Sequence, residues 1–229
     1  MVENSNKWTN QATASAFQNW VFEQTIPSYA RSRDLPISSI INRMELGRYV
    51  HEELAKDANW IRKAIDNSFE PSDWKLVYVD HGDQQSPNLR ASNLTVNGTP
   101  LVCRPDVVLS NKNDGRILII ERKTTGRYEG SIPQSAWPNI RAQLWCYGWI
   151  DDWLDAPEVI LICQFLRRRL SKFGDSKRKQ DSKNPWKLEF DSKPVWLRND
   201  EFFFNEIAHH FNKYGGKISS EIFSKMDLS

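Results

Sequence analysis

Apolar residues recur along the chain with two different spacings, and these spacings predict where helices and strands lie. Apolar positions three or four residues apart are typical of a helix with one buried face, whereas short apolar runs between turn residues are typical of strands. Helices are predicted over residues 13–25, 38–67, 138–154 and 200–214. Strands are predicted over residues 74–80, 94–96, 101–109, 116–123, 158–170, 186–190 and 195–197, with a polar loop at 81–92.

The order of these elements predicts an α/β fold with a central mixed β-sheet flanked by helices. The strands between residues 94 and 123 are predicted to form a three-stranded antiparallel meander. Asn-Gly at 97–98 and Asn-Asp-Gly at 113–115 are tight-turn sequences that would join neighbouring strands. A chain of 229 residues without a clear linker fits a single domain.

Composition limits the class of protein and its surroundings. A hydrophobic fraction of 39% predicts a folded core, and a net charge of +2 means that any anionic partner must bind a local patch or a metal. The three cysteines are odd in number and widely spaced, which predicts free thiols in a reducing compartment rather than a disulfide framework. Without a signal sequence or a long apolar run, we expect a soluble cytoplasmic protein that does not bind a membrane.

Two of the apolar runs carry a carboxylate where an apolar residue would be expected. Asp106 lies within residues 101–109, and Glu121 lies near the end of 116–123. Because side chains alternate along a strand, Lys123 should share a face with Glu121 while Arg122 points to the opposite face. A buried carboxylate is costly unless it is paired or binds a metal, so this pattern predicts a metal site.

Paired carboxylates beside a lysine suit the hydrolysis of a phosphodiester. Mg²⁺ prefers oxygen ligands and is usually bound by one or two carboxylates plus water. A metal ion acidifies the attacking water and offsets the negative charge that develops on the phosphate oxygens. A neighbouring lysine can orient that water or stabilise the same charge.

At these residues the chain resembles the PD-(D/E)XK nuclease superfamily. Pro105-Asp106 corresponds to the PD, and the sequence Glu-Arg-Lys at 121–123 corresponds to the ExK. Two further motifs are similar to the RecB-type branch, which includes the CRISPR-adaptation exonucleases. The sequence GRYVH at 47–51 resembles its glycine–histidine helix motif, and QLWCY at 143–147 resembles its Q-x-x-x-Y helix motif.

The resemblance implies a restriction-endonuclease-like core, with the motif-bearing part at about residues 40–170 and the C-terminal residues 171–229 packed on it. It implies that Mg²⁺ or Mn²⁺ is held by His51, Asp106, Glu121 and the backbone carbonyl of Arg122. It also implies a catalytic set made of Asp106, Glu121, Lys123, Gln143 and Tyr147. Gln143 and Tyr147 would orient the lysine or contact the DNA backbone.

The chain departs from the pattern of this branch in three respects. Cys103 stands where glycine is common, three residues before Asp106. The charged Arg122 occupies the middle of the ExK, where an apolar residue is usual, and should therefore face away from the site. Three scattered cysteines cannot reproduce the four-cysteine iron–sulfur motif, so no iron–sulfur cluster is expected.

Basic residues near the end of the strand predicted at 158–170, together with one after the ExK, are candidates for binding DNA phosphates. They are Arg127, Arg167, Arg168, Arg169 and Lys172. The alternative for the basic segment is a solvated loop. Tyr128 and Trp137 could stack on unpaired bases, or they could anchor the core.

Taken together, the motifs predict a Mg²⁺- or Mn²⁺-dependent deoxyribonuclease that leaves 5′-phosphate ends. The resemblance favours an exonuclease of RecB type in DNA repair, recombination or the biology of phages and mobile elements. A helicase, another assembly subunit or a second copy of the chain is the expected protein partner. The alternatives are RNA cleavage by the same residues and a non-cleaving nucleic-acid-binding or scaffold subunit with a nuclease fold.

Overall fold

The computed structural model describes residues 11–25, 73–80, 86–125, 133, 135–167 and 189–226. Its helices are α1 (Ala14–Thr25), α2 (Pro138–Gly148), α3 (Glu201–Tyr214) and α4 (Ser220–Met226), with a 3₁₀ turn at Asp151–Trp153. Its strands are β1 (Trp74–Val79), β2 (Leu89–Val96), β3 (Thr99–Cys103), β4 (Val107–Asn111), β5 (Ile117–Thr125), β6 (Val159–Arg167), β7 (Glu189–Leu197) and β8 (Gly216–Ile218). The predicted helix at 38–67 lies outside the described residues.

The central sheet has five strands in the order β1-β4-β5-β6-β7. Among the described strands of this sheet, β5 and β6 form the one parallel pair, which is possible because the chain crosses over between them through α2. Every residue of 117–122 and of 159–165 is buried, as expected for the middle strands of a sheet covered on both faces. The predicted α/β fold, a mixed central sheet flanked by helices, is confirmed.

A second sheet, of order β3-β2-β8, corrects the predicted meander. The strand predicted over 101–109 is two strands, because β3 ends at Cys103 and β4 begins at Val107 in the other sheet. Pro105 lies in the gap, and a proline has no N–H to continue a strand ladder. The break therefore moves the chain from one sheet to the other and leaves Asp106 at the start of the new strand.

Other element boundaries also differ from those predicted. Helix α2 starts at Pro138 as predicted but ends at Gly148, not near residue 154. The two short strands predicted at 186–190 and 195–197 are one strand, β7, within the described residues. Strand β2 begins inside the predicted loop 81–92. Strand β8 and helix α4 were not predicted, because both are short and form only against β2 and the main core.

Helices α1 and α3 agree with their predictions. The Asp200 side chain caps α3 by accepting from the backbone N–H of Phe203 at 2.8 Å. Gly215 ends α3 with a φ of 94°, a left-handed conformation that glycine adopts without strain.

Among the helices in the described ranges, none is long and apolar enough to cross a membrane.

The main core lies between the second sheet, α1, α2, α3 and one face of the central sheet. Aromatic rings dominate it. Trp145 of α2 lies 5.5 Å from Phe211 and 5.8 Å from Phe204, and Phe17 of α1 contacts Phe211 edge-on at 5.1 Å, between ring centroids. The core therefore fixes α2 against the central sheet, and α2 carries two of the candidate site residues.

Arg198 joins the end of β7 to the segment that follows α2. Its side chain is buried, and Nη1 donates to the carbonyl oxygens of Trp153 at 3.2 Å and Leu154 at 3.0 Å. Nη2 donates to the carbonyl of Ala156 at 3.1 Å, and the guanidinium lies 5.2 Å from the ring centroid of Trp149. Burial lowers the pKa of Arg198, but these carbonyls and the indole ring compensate the desolvated cation.

Replacing Arg198 should therefore destabilise the fold. We expect Arg198→Met to lower the free energy of unfolding by about 3 kcal/mol, because buried carbonyl groups lose a charged donor. Urea unfolding followed by circular dichroism measures the change. Arg116→Met is the control: that half-exposed arginine pairs with Asp114 on the surface, where an ion pair contributes less than about 1 kcal/mol. Equal losses in the two variants would contradict the role assigned to Arg198.

Candidate active site

Glu121 and Lys123 project from one face of β5, as strand alternation predicted. The Lys123 Nζ donates to Oε1 of Glu121 at 2.5 Å. The glutamate side chain is only 3% exposed, whereas the lysine side chain is 25% exposed. Their register partners on β6 are Cys163 and Phe165, which are both buried. The two charged groups therefore lie beside apolar side chains of β6, and the lysine is partly exposed to solvent.

Asp106 lies at the same end of the central sheet. It immediately precedes β4, whose Val107 pairs with Ile120 of β5, so its backbone is level with Glu121. Its buried carboxylate accepts the backbone N–H of Arg122 at 2.5 Å through Oδ2. The two unexpected carboxylates of the sequence thus come together at the end of adjacent antiparallel strands.

Helix α2 contributes two further polar side chains to this cluster. Gln143 accepts from the Lys123 Nζ at 2.7 Å through Oε1 and donates to the Tyr147 hydroxyl at 2.6 Å through Nε2. Tyr147 in turn donates to the backbone carbonyl of Arg104 at 2.9 Å. Residues four apart share a helix face, so one turn of α2 links the lysine to the segment that carries Asp106.

The charges in this cluster set its protonation. Burial by itself would lower the pKa of Lys123, but the carboxylates of Glu121 and Asp106 outweigh burial and raise it. Burial, followed by the same two carboxylates, raises the pKa of Tyr147 well above its usual value. At neutral pH the cluster therefore contains the charged ammonium of Lys123 and the neutral phenol of Tyr147, whose O–H donates a hydrogen bond to the Arg104 carbonyl.

The donor set suits a hard divalent cation. Asp106 and Glu121 offer carboxylate oxygens, and Mg²⁺ is commonly bound by one or two carboxylates with water completing its shell. Within the described ranges, no group of three or more histidine, cysteine, aspartate or glutamate side chains could hold a metal ion. His51, the third predicted ligand, lies outside these ranges. The backbone carbonyl of Arg122 was the fourth predicted ligand. The contact between Arg122 and Asp106 is made by the Arg122 N–H and not by this carbonyl, so the carbonyl stays a predicted ligand.

The side chain of Arg122 faces away from the cluster, as predicted. It is 2% exposed and its Nε lies 3.4 Å from Oε1 of Gln164, its register partner on β6. Burial lowers its pKa to about 10, and Asp106 and Glu121 oppose that shift. The unusual charged residue of the ExK therefore belongs to the opposite face of the sheet.

The cysteines are all buried free thiols. Cys103, which stands where the motif commonly has glycine, packs in the main core with its Sγ 3.9 Å from the carbonyl oxygen of Cys146. Burial raises the pKa of Cys103, Cys146 and Cys163, which keeps these thiols protonated and weakly reactive.

The predicted nucleic-acid-binding residues are not brought together in the described part of the chain. Arg127, Arg168, Arg169 and Lys172 lie outside it, and Arg167 is the last residue of β6, with its side chain undescribed. Trp137 is half-buried and packs edge-on against Phe165 at 5.3 Å, which favours the core-anchor alternative over base stacking.

Three residues that sequence reasoning missed, Tyr78, Asp80 and Arg104, lie near Asp106. The Asp80 N–H donates to the carbonyl of Asp106 at 3.0 Å, and the Asp80 Oδ1 accepts from Nη2 of Arg104 at 3.0 Å. Burial, followed by the charge of Asp80, raises the pKa of Tyr78. Arg104 opposes this rise in the pKa, and Asp106 adds to it. A carboxylate at the end of a predicted strand and an arginine just before the PD motif were the available signals.

No family model and no curated protein matches the chain. Among solved structures, it is similar to the crystal structure of SSO0001, with 15% sequence identity and a TM-score of 0.35. The match covers 89% of this chain and 75% of the other.

The chain of contacts through α2 makes Gln143 and Tyr147 energetically coupled. Tyr147→Phe should lower the free energy of unfolding by about 1–3 kcal/mol, because it leaves a buried carbonyl and a buried amide without this partner. The double variant Gln143→Leu/Tyr147→Phe should cost at least about 0.5 kcal/mol less than the sum of the single variants. Urea unfolding of the four proteins measures this coupling, and simple additivity would contradict the proposed linkage.

Proposed function

We propose that this protein is a metal-dependent nuclease that hydrolyses phosphodiester bonds in DNA and leaves 5′-phosphate ends. The observation that carries the proposal is the contact set of Lys123, whose Nζ donates to both Glu121 and Gln143 at the strand end where Asp106 also lies. The similarity of the same residues to the RecB-type branch of the PD-(D/E)XK superfamily supports this reaction.

Asp106 and Glu121 would hold a Mg²⁺ or Mn²⁺ ion, with His51 and the carbonyl of Arg122 as the further ligands that the resemblance implies. Such a bound cation supplies an acidified water and neutralises charge on the phosphate. The Arg122 N–H fixes the orientation of the Asp106 carboxylate, and the apolar wall of Cys163 and Phe165 limits water at Glu121.

Lys123 contributes a positive charge to this reaction. A lysine that donates to both a carboxylate and an amide oxygen is protonated, so its ammonium can orient the attacking water and stabilise charge on the phosphate oxygens. Gln143 holds the ammonium in place, and Tyr147 fixes Gln143 against the carbonyl of Arg104. Gln143 and Tyr147 thus act in our proposal as positioning residues.

The resemblance further leads us to propose an exonuclease of RecB type that acts in DNA repair, recombination or the biology of mobile elements. DNA is the proposed substrate, and a helicase subunit or a second copy of the chain is the proposed protein partner. A digest of end-labelled linear, circular and single-stranded DNA distinguishes cleavage from an end from internal cleavage.

Removing the ammonium should strongly reduce the rate of cleavage. We expect Lys123→Ala to lower kcat by roughly 10²–10³, the effect typical of losing one charge-stabilising group at a reaction centre. The digest, with Mg²⁺ and with Mn²⁺, measures this loss, and circular dichroism checks that the variant is folded. Lys75→Ala is the control, because Lys75 is exposed on β1 and pairs with Ser110 toward the opposite end of the sheet. Full activity in Lys123→Ala would overturn the proposed mechanism.

Metal binding should depend on Asp106. We expect Mn²⁺ to bind wild type in a calorimetric titration, and Asp106→Asn to weaken that binding by at least about 10-fold, because a charged oxygen ligand becomes neutral. Asparagine can still accept the Arg122 N–H, so the fold should be retained.

Asp114→Asn is the matched control for this titration. Asp114 is exposed and pairs with Arg116 at the opposite end of β5. An equal metal response in wild type and Asp106→Asn would instead favour the non-cleaving scaffold. EDTA should abolish cleavage by wild type.

A further inference from the structure

Arg104 presents a partly exposed guanidinium beside the candidate active site. It lies in the segment between β3 and β4, two residues before Asp106, and its side chain is 36% exposed. No motif of the sequence accounts for an arginine at this position. Hydrogen bonds of its side chain to Asp80 and of its backbone carbonyl to Tyr147 position Arg104 next to Asp106.

Contacts of both its side chain and its backbone hold Arg104 in place. The Asp80 Oδ1 accepts from its Nη2 at 3.0 Å, and Asp80 is itself joined to the segment by its N–H, which donates to the Asp106 carbonyl at 3.0 Å. On the main-chain side, the Arg104 carbonyl accepts from the Tyr147 hydroxyl at 2.9 Å. Asp80, just after β1, thus fixes the side chain of Arg104, and Tyr147 of α2 fixes its backbone.

The charges at this end of the sheet require a cation for an anionic substrate. Asp80, Asp106 and Glu121 carry three carboxylates here, and Lys123 is engaged with Glu121. A polyanionic strand that approaches these carboxylates is repelled unless other positive groups compensate. The planar guanidinium of arginine has five N–H donors and matches the geometry of phosphate oxygens.

We propose that Arg104 binds a backbone phosphate of the nucleic-acid strand next to the phosphodiester that is cleaved. This inference rests on the proposed nuclease function and adds a substrate-binding residue to it. Asp80 acts as a positioning residue that orients the guanidinium. The competing explanation is that the Arg104–Asp80 pair only ties β1 to the segment between β3 and β4.

Arg104→Gln tests the proposal, with Arg116→Gln as a closely matched control. Arg116 is also an arginine paired with an aspartate, and its side chain is 39% exposed, but it precedes β5 at the end of the sheet opposite Glu121. We expect Arg104→Gln to raise KM for DNA about 10-fold, with kcat within about 2-fold of wild type, because a phosphate contact is lost from bound substrate. Arg116→Gln should leave both constants unchanged.

Binding measured without cleavage separates this inference from the proposed function. The probe is a fluorescein-labelled oligonucleotide, single- or double-stranded, in EDTA, and the readout is anisotropy at increasing salt. Losing one phosphate contact should reduce the slope of log K against log salt by about one. An unchanged slope and affinity in Arg104→Gln overturn the inference, even if wild type cleaves DNA. Absence of cleavage by wild type overturns the proposed function, while the salt slope still tests Arg104.

Asp80→Asn distinguishes phosphate binding from a structural tether. The asparagine Oδ1 can still accept from Nη2 and orient the guanidinium, while a negative charge beside it is removed. Phosphate binding therefore predicts an affinity for the oligonucleotide equal to or higher than that of wild type. A tether predicts that Asp80→Asn and Arg104→Gln weaken binding and lower the free energy of unfolding to the same extent. That second outcome would overturn the proposed role of Arg104.

Discussion

The buried carboxylate of Glu121 is tolerated in an apolar sheet because the ammonium of Lys123 lies 2.5 Å from it. An unpaired charge at that position would cost several kcal/mol, and the ion pair with Lys123 offsets that cost. The pair constrains its surroundings in turn. Gln143 must present an oxygen to the same ammonium, which fixes the rotation of α2, and Tyr147 extends that constraint to the segment before β4.

Pro105 connects this electrostatic arrangement to the topology. Because a proline cannot continue a strand ladder, the chain leaves the second sheet after Cys103 and enters the central sheet at Val107. Asp106 is placed at the transition, where its carboxylate can accept the N–H of Arg122 from the neighbouring strand. The same transition leaves Arg104 partly exposed and lets Asp80 hold it. One backbone break thus separates the buried carboxylate of Asp106 from the partly exposed guanidinium of Arg104.

The α/β class and most elements could be predicted because apolar periodicity and turn residues are local signals. Alternation along β5 correctly separated Glu121 and Lys123 from Arg122. Helix spacing correctly put Gln143 and Tyr147 on one face. The predicted end of α2 was several residues too late, because the apolar pattern continues past Gly148. In the structure, Arg198, which is distant in sequence, donates to the backbone carbonyls of Gly148, Trp153 and Leu154. Short elements such as β8 depend on pairing with β2 and leave almost no local trace.

The sequence by itself determined the members of the polar cluster: two carboxylates and a lysine in apolar strands, together with a glutamine and a tyrosine one helical turn apart. The carboxylates and the lysine follow from side-chain alternation and from the cost of burying charge, which are properties of local sequence. The glutamine and the tyrosine follow from the motif resemblance and from their spacing on a helix. Only the tertiary structure decided that residues 101–109 divide between two sheets, and that Asp80 and Arg104 adjoin Asp106. Strand pairing across the sheet makes those contacts, and register between distant segments cannot be inferred from either segment alone.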